Sequence, residues 1–527
     1  MTLGKTPHQE DLYRSSRELV ESRLGEQSIY RLLGREGHRL FPDESFGDLF
    51  QRIGRRSVPP RIVATVMVLQ RIEGLSDREA VDRFAFDLRW KYAAGGLEFD
   101  YPGFVHTVLV DMRERLRRSE RPNRIFDAVL EVAREAGFVG RRRVLDSTAL
   151  YDAVATQDTV TLIRSAIRSV LRVSGAYEAK LRTHLKREDD YRAAGKPACD
   201  WDDEAARSEL VDALARDGFA LLLALENRKM TTALAEACAL LATVLGQDLE
   251  QVEGTFRIAR RVAPDRVIST VDPEARHGHK TAARSFDGYK GHIAIDPDSE
   301  IVTAVQVTAG NVGDAAPAEA LLSDVLETSE VRSDAAQPYE VYGDASYGTA
   351  DLVERLEGVG ITANTKVQAP SARKGMYSQD AFDLDTDEGT VRCPNGITVR
   401  LEMHRDGSAF ARFGKHCENC PLRPSCTDAK TGRLIHLHAK HAVLRRARDR
   451  QKDPDWKLTY RAIRPKVERK LAHMMRRKHG GRRARVRGTC RVAADFALLA
   501  AATNLVRLAV LRLRGDGNVW ISQAIPA

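Results

Sequence analysis

The stretch Arg141-Arg142-Arg143-Val144-Leu145-Asp146-Ser147-Thr148 breaks a run of sequence that reads as helical from the start of the chain. Three arginines give way to a short β-favouring run that ends in an acid and two hydroxyls. The pattern predicts a strand carrying Asp146 towards its end. Strand character returns at Gly288-Tyr289-Lys290-Gly291-His292-Ile293-Ala294-Ile295. A turn at Asp296-Pro297-Asp298-Ser299 leads into Ile301-Val302-Thr303-Ala304-Val305-Gln306-Val307, which is a hairpin signal. Ala315 to Leu326 reads as a helix, Tyr339-Glu340-Val341-Tyr342-Gly343-Asp344 as a strand ending in a second acid, Ala350 to Leu356 as a helix and Ile361 to Val367 as a short strand. That order predicts a mixed α/β sheet flanked by helices, with acids at strand ends.

The rest of the chain divides around this sheet. Residues 1–135 read as a helical N-terminal domain, with a capping box at Ser76-Asp77-Arg78-Glu79 and arginines at 113, 115, 117 and 118 that suit either DNA contact or a plain helical cap. Residues 136–370 hold the first part of the sheet. They are interrupted at about 158–262 by a helical insertion whose Leu162, Ile163, Ala166, Ile167, Val170 and Leu171 are spaced as one apolar face. Residues 371–440 form a cysteine-bearing insert, 441–515 a basic C-terminal part and 516–527 a tail. No internal repeat is evident.

Composition narrows the class. The chain has 527 residues, 43% hydrophobic and 30% charged, which excludes wholesale disorder. Aromatics are 6%, too few to suggest a carbohydrate-stacking protein. The net charge is +9, and its distribution is lopsided: Arg433 to Arg491 carries 21 Lys and Arg against four acids, so the excess positive charge sits in one C-terminal segment. Such a segment suits a polyanionic partner. Met1 to Glu21 is charged and has no apolar stretch, so no secretory leader is expected. Val492 to Leu511 is apolar but contains Asp495, Asn504 and Arg507, and reads as a buried helix rather than a membrane span. Seven cysteines, four of them clustered, point to metal binding in a reducing cytoplasm.

Two sets of residues carry chemistry. Asp146 and Asp344 each follow a β-rich run, and carboxylates at strand ends can bind Mg²⁺, although a lone Asp there also commonly begins a turn. Glu468 is the sole acid between Trp456 and Arg491. It is either a metal ligand facing a phosphate-binding surface or a salt-bridge partner for Arg464, four residues earlier. Pro465 bears on the choice, because it suits a first helical turn and kinks an interior one. Two such carboxylates with a third from a helix can hold two ions for an in-line phosphoryl displacement. Independently, Cys417-Glu-Asn-Cys420-Pro-Leu-Arg-Pro-Ser-Cys426, preceded by Cys393-Pro-Asn-Gly, has the knuckle spacing of a structural Cys₄ zinc site, with His416 as a substitute ligand and free or redox-active thiols as the alternative. Cys199, Cys238 and Cys490 read as packed thiols, His277-Gly-His279-Lys280 as an exposed loop, and Trp456 as a core residue more than a base-stacking one.

Asp146 in Val-Leu-Asp-Ser-Thr, Asp344 in Tyr-Gly-Asp-Ala-Ser-Tyr-Gly, and Tyr460…Arg464…Glu468 resemble the signature of bacterial insertion-sequence transposases of the DDE type. The run His479-Gly-Gly-Arg482-Arg483-Ala-Arg485-Val-Arg487-Gly488 resembles the stretch after the last acid in one such family. The resemblance implies a ribonuclease-H-like core, with Asp146, Asp344 and Glu468 as the ligands of Mg²⁺ or Mn²⁺, as two ions. Tyr460 and Arg464 would contact DNA near the cut, and Lys478, Arg482, Arg483, Arg485 and Arg487 would track it. Departures exist: the Tyr-to-Arg spacing is one residue longer than in the related signature, and seven beyond Glu468 stands Met475, with Lys478 three residues on. The implied activity is cleavage at transposon ends and strand transfer into target DNA by a cytoplasmic homodimer on double-stranded DNA, with no membrane involved. A nuclease without strand transfer, and an inactive DNA-binding descendant of a transposase, remain the alternatives.

Overall fold

The computed structural model describes residues 1–5, 16–187, 189, 191–281, 284–331, 338–370, 372, 375–385, 387–517 and 519–522. Its centre is a mixed sheet of β1 (Arg142–Tyr151), β2 (Arg284–Ile295), β3 (Val302–Ala309), β4 (Glu340–Gly343) and β5 (Thr362–Thr365), in the spatial order β3-β2-β1-β4-β5. The first three strands are antiparallel, with Asp146 opposite Ile293. The last three are parallel, with Val144 opposite Tyr342 and Val341 opposite Ala363. A further strand, Arg276–Thr281, pairs with the start of β2. His277 and His279 therefore lie on a strand, not in the expected loop, because their backbone completes the ladder along β2.

Local chemistry explains the hairpin. Between β2 and β3 the buried Asp296 carboxylate accepts the backbone N–H of Asp298 (2.9 Å) and Ser299 (2.8 Å), closing the Asp-Pro-Asp-Ser turn. Its second oxygen accepts the Gly140 N–H at 2.8 Å and so ties the turn to the entry of β1. Gly288 has φ +137°, and a Cβ there would stand 2.3 Å from the Leu150 carbonyl oxygen, so only glycine lets β2 approach β1 at this point.

The N-terminal helices include α1 (Pro60–Glu73), which is buried along nearly its whole length. Gly74, in the left-handed region, ends it, and the predicted capping box of Ser76 and Glu79 starts the next helix. Arg113 pairs with Asp77, Arg117 and Arg118 pair with Glu114, and Arg115 donates to the Leu49 carbonyl at 2.9 Å. These arginines thus brace the helical domain. The insertion between β1 and β2 comprises α2 (Thr159–Val173), α3 (Glu204–Leu225) and α4 (Thr232–Asp248) around a core of their own. A small hairpin, Leu249–Val252 with Thr255–Ile258, closes it.

Beyond β4 come α5 (Ala350–Gly358), the cysteine-bearing segment, α6 (His441–Arg450), α7 (Pro454–Met474) and α8 (Thr489–Val510). Period-2 alternation splits the sheet between two cores. Val144, Ile293, Ile295 and Tyr342 pack with α7, α8 and the N-terminal helices; Leu145, Ala294, Val341 and Ala363 pack with α5 and α6. By length and composition α8 could cross a membrane, but most of it is buried in the fold. Its polar residues are engaged there: Asn504 exchanges two 2.8 Å hydrogen bonds with the Val302 backbone, and Asp495 meets Arg71 at 3.1 Å.

Two further expectations are corrected. The tail does not begin at 516: Leu513–Asp516 pairs with Val519–Ser522, and Trp520 is buried beneath the Arg39 guanidinium, 4.1 Å from the ring centroid. Cys490 is exposed at the first turn of α8 and not packed, because the helix turns its buried face away from that position.

Candidate active site

Three elements bring the three acids to one place. Asp146 lies in the middle of β1, which runs on through the buried Ala149 and Leu150, so the acid is not at the strand end as expected. Asp344 follows the last residue of β4, the parallel neighbour of β1. A Cβ on Gly343 would stand 2.9 Å from the Tyr347 Cβ, so the missing side chain lets the Asp-Ala-Ser-Tyr turn fold back tightly beside the strand end. Glu468 comes from α7, which is continuous through Pro465. Tyr460, Arg464 and Glu468, four residues apart, share a face of that helix, next to the stripe of Ile463, Val467 and Leu471 that anchors it to the core.

The centre of the cluster is Arg464. Its Nη2 lies 3.1 Å from Asp146 Oδ1 and 3.6 Å from Asp344 Oδ2, and its Nη1 lies 3.4 Å from Glu468 Oε1. Exposure rises outward, from 8% at the Arg464 side chain through 14% at Asp146 and 42% at Asp344 to 62% at Glu468, so the site is closed at the sheet and open at the helix. Burial pushes the Asp146 carboxyl above the usual carboxylate range, against the pull of Arg464 and of the Ser147 N–H, with nearby Asp344 adding to the rise. Burial alone would lower Arg464; Asp146 and Asp344 outweigh it and hold the guanidinium charged.

Tyr460 donates its hydroxyl to the Gly343 carbonyl (3.0 Å) and stacks on Trp456 with ring centroids 4.7 Å apart. Trp456 in turn donates to Asn364 Oδ1 at 3.0 Å. Both aromatic residues therefore pin α7 to the ends of β4 and β5, and Tyr460 OH already has a partner.

The basic run is split by the fold. Tyr151 N–H donates to the Arg482 carbonyl and Ala484 N–H to the Tyr151 carbonyl, each at 2.8 Å, so this segment extends the pairing at the end of β1. Arg483 and Arg487 are exposed and Arg482 half-buried, while Lys478 is exposed in the turn after α7. Arg485 instead points inward and donates to the Leu75 carbonyl, and burial pulls its pKa below the usual arginine range.

The four cysteines of the insert, with His416, line one cavity of about 20 Å³, large enough for a single ion or water. Two small three-stranded sheets and a core that includes Phe382, Val391, Phe413 and Ile435 carry them. All four thiols are free. Burial raises the Cys426 thiol, Arg433 opposes the rise, and the other three thiols add to it. As placed, no group of three or more His, Cys, Asp or Glu side chains among the described residues is gathered so as to hold a metal ion.

A second buried group escaped the sequence reading. Tyr347 OH stands 3.5 Å from His292 Nδ1, His292 Nε2 lies 2.9 Å from Thr308 Oγ1, and Lys290 pairs with Asp314 at 2.9 Å. Burial pushes His292 down to about 4 and leaves the ring neutral. In the sequence His292 is marked only as one position of the strand run from Gly288 to Ile295.

A three-carboxylate cluster on a mixed sheet, beside a basic segment, fits an enzyme acting on nucleic acid. Comparison with known families gives the class: a transposase DDE domain matches residues 392–509, and a transposase domain (DUF772) matches residues 18–115. By these two matches the chain is similar to insertion-sequence DDE transposases. The first match contains Glu468, Arg464 and the four cysteines, and Asp146 and Asp344 lie between the two. No curated protein and no solved structure matches the chain.

Proposed function

We propose that the chain cleaves DNA at transposon ends and transfers the freed strand to target DNA, using Asp146, Asp344 and Glu468 on a ribonuclease-H-like core. One observation carries the reading: acids far apart in sequence, from two parallel strands and a helix, converge on a single cation, the Arg464 guanidinium. The donor set is all carboxylate oxygen, which suits Mg²⁺ or Mn²⁺. Two such ions would activate the attacking oxygen and stabilise the leaving one. The order β3-β2-β1-β4-β5, antiparallel then parallel, supports the core assignment.

The chain's own residues set the geometry. Asp146, nearly buried, fixes the inner side of the site. Glu468 and Asp344 stand at its open side, where a phosphodiester enters. Lys478, Arg483 and Arg487 are exposed and hold the phosphate backbone; Arg482 assists from the same segment. Tyr460 acts on the site through α7 rather than on DNA. Cleaving two ends together calls for a homodimer on double-stranded DNA in the cytoplasm. Cys393, Cys417, Cys420 and Cys426 would hold a structural zinc by drawing in around the ion-sized cavity that they line together. Substituting Asp146→Asn or Asp344→Asn is expected to abolish cleavage and spare DNA binding. Retained cleavage would remove that residue from the mechanism, and cleavage by the wild type without joining would make the protein a nuclease.

A further inference from the structure

The geometry assigns Arg464 a role of its own: its guanidinium is the resident counter-ion of the three carboxylates, and a divalent ion binds there only by displacing it. This rests on the reading that Asp146, Asp344 and Glu468 take the metal.

The contacts are those of a cation shared among three acids, with a fork on Asp146 looser than the buried ion pairs elsewhere in the chain. Elsewhere in the chain a buried arginine grips one carboxylate with two short, parallel bonds, as Arg164 does Asp189 at 2.7 and 2.8 Å. Arg464 forks Asp146 at the longer distances of 3.1 and 3.4 Å, and the same two nitrogens also reach Glu468 at 3.4 Å and Asp344 at 3.6 Å. Its Nε is buried and lacks a hydrogen-bond partner. The head group therefore sits at the centre of negative charge without full hydrogen bonding, an arrangement held by electrostatics more than by fit.

A guanidinium and a divalent cation repel at this range, so both cannot stand between the same carboxylates. Metal entry requires the side chain to swing out, and the exposed Glu468 and Asp344 leave the way open on one side only. On that side a DNA phosphate would lie. Arginine pairs with phosphate as readily as with carboxylate, so DNA offers the displaced head group a new partner. Metal and DNA binding are then positively coupled: DNA draws Arg464 off the carboxylates that the metal needs, and the metal frees the guanidinium for a phosphate. The free protein binds metal weakly, and the site is completed on DNA.

The test is Mn²⁺ binding to the full chain by titration calorimetry, without DNA and then with a duplex of the element's end. Arg464→Gln is expected to bind Mn²⁺ at least ~10-fold more tightly than wild type without DNA, and the gain should vanish when Asp146→Asn is added. Arg464→Lys, which keeps the charge, should stay within a few-fold of wild type. In the wild type alone, which needs no variant to fold, DNA should tighten Mn²⁺ binding ~10-fold or more. Equal Mn²⁺ affinity in wild type and Arg464→Gln, or no effect of DNA on the wild type, overturns the inference. If those results come with Mn²⁺ binding that Asp146→Asn abolishes, the metal triad stands and only the role of Arg464 falls. Mn²⁺ binding insensitive to Asp146→Asn defeats both.

Discussion

Tyr460 on α7 donates its hydroxyl to the carbonyl of Gly343, the residue before Asp344, at 3.0 Å. This bond and the Trp456 stack beneath it set how far the helix carrying Glu468 stands from the strand carrying Asp344. Tyr460→Phe removes the hydroxyl and leaves the stack. A fall of about 1 kcal/mol in stability is expected, with a larger proportional loss in cleavage rate because the spacing of two acids relaxes. Denaturant melts and single-turnover cleavage measured on the same preparation check this. An unchanged cleavage rate would show that the bond does not position Glu468.

The insert should be a zinc module. Purified protein is expected to carry about one zinc per chain, and Cys417→Ser or Cys426→Ser should lose it. Chelation should lower the melting temperature, because metal binding and folding of so small a core are one equilibrium. Elemental analysis of folded protein showing no zinc would overturn the assignment.

The split of the basic run separates two kinds of arginine. Arg483→Glu with Arg487→Glu should weaken DNA binding and flatten its salt dependence by roughly two in log–log slope, about one per lost phosphate contact. Arg485→Glu should act differently. Its guanidinium meets the Leu75 carbonyl inside the protein, so the substitution leaves that carbonyl without its donor and lowers stability by roughly 1–3 kcal/mol. Binding isotherms across salt and thermal melts distinguish the two classes; a pure DNA-binding defect at Arg485 would contradict the inward placement.

His292 gives the fold an acid limit. Burial depresses its pKa from 6.5 to about 4, with Asp314 pulling it up and Lys290 pushing it down. The unfolded chain binds the proton more readily, so the neutral ring's contribution is full above about pH 6.5 and is lost as pH falls towards 4. His473, also held at about 4, slopes the same way. His292→Gln should flatten the fall in stability between pH 6.5 and 4. An unaltered slope would assign the acid sensitivity to other groups.

What the sequence made legible follows from range. The β-favouring run before Asp146, the Asp-Pro-Asp-Ser turn and the Ser76 capping box are local signals, and each formed its element, although the strand runs on past Asp146. Glu468 was readable as the single acid in a basic helix, yet ligand and salt-bridge partner looked alike. The structure makes both meanings visible, since Arg464 touches Glu468 and both aspartates at once. The Tyr347–His292 group, the inward turn of Arg485 and the burial of Trp520 depend on partners 16 to 481 positions away, and no spacing rule reaches that far.

The central claim is that these three acids perform one reaction, and Glu468 tests it most directly. Duplex DNA carrying the element's end, with Mg²⁺ or Mn²⁺ and a target plasmid, is cut and joined by wild type and by Glu468→Gln in parallel. The expected result is nicking and joining by the wild type, and the loss of both in Glu468→Gln with DNA affinity retained. Cleavage and joining by Glu468→Gln at the wild-type rate would contradict the account.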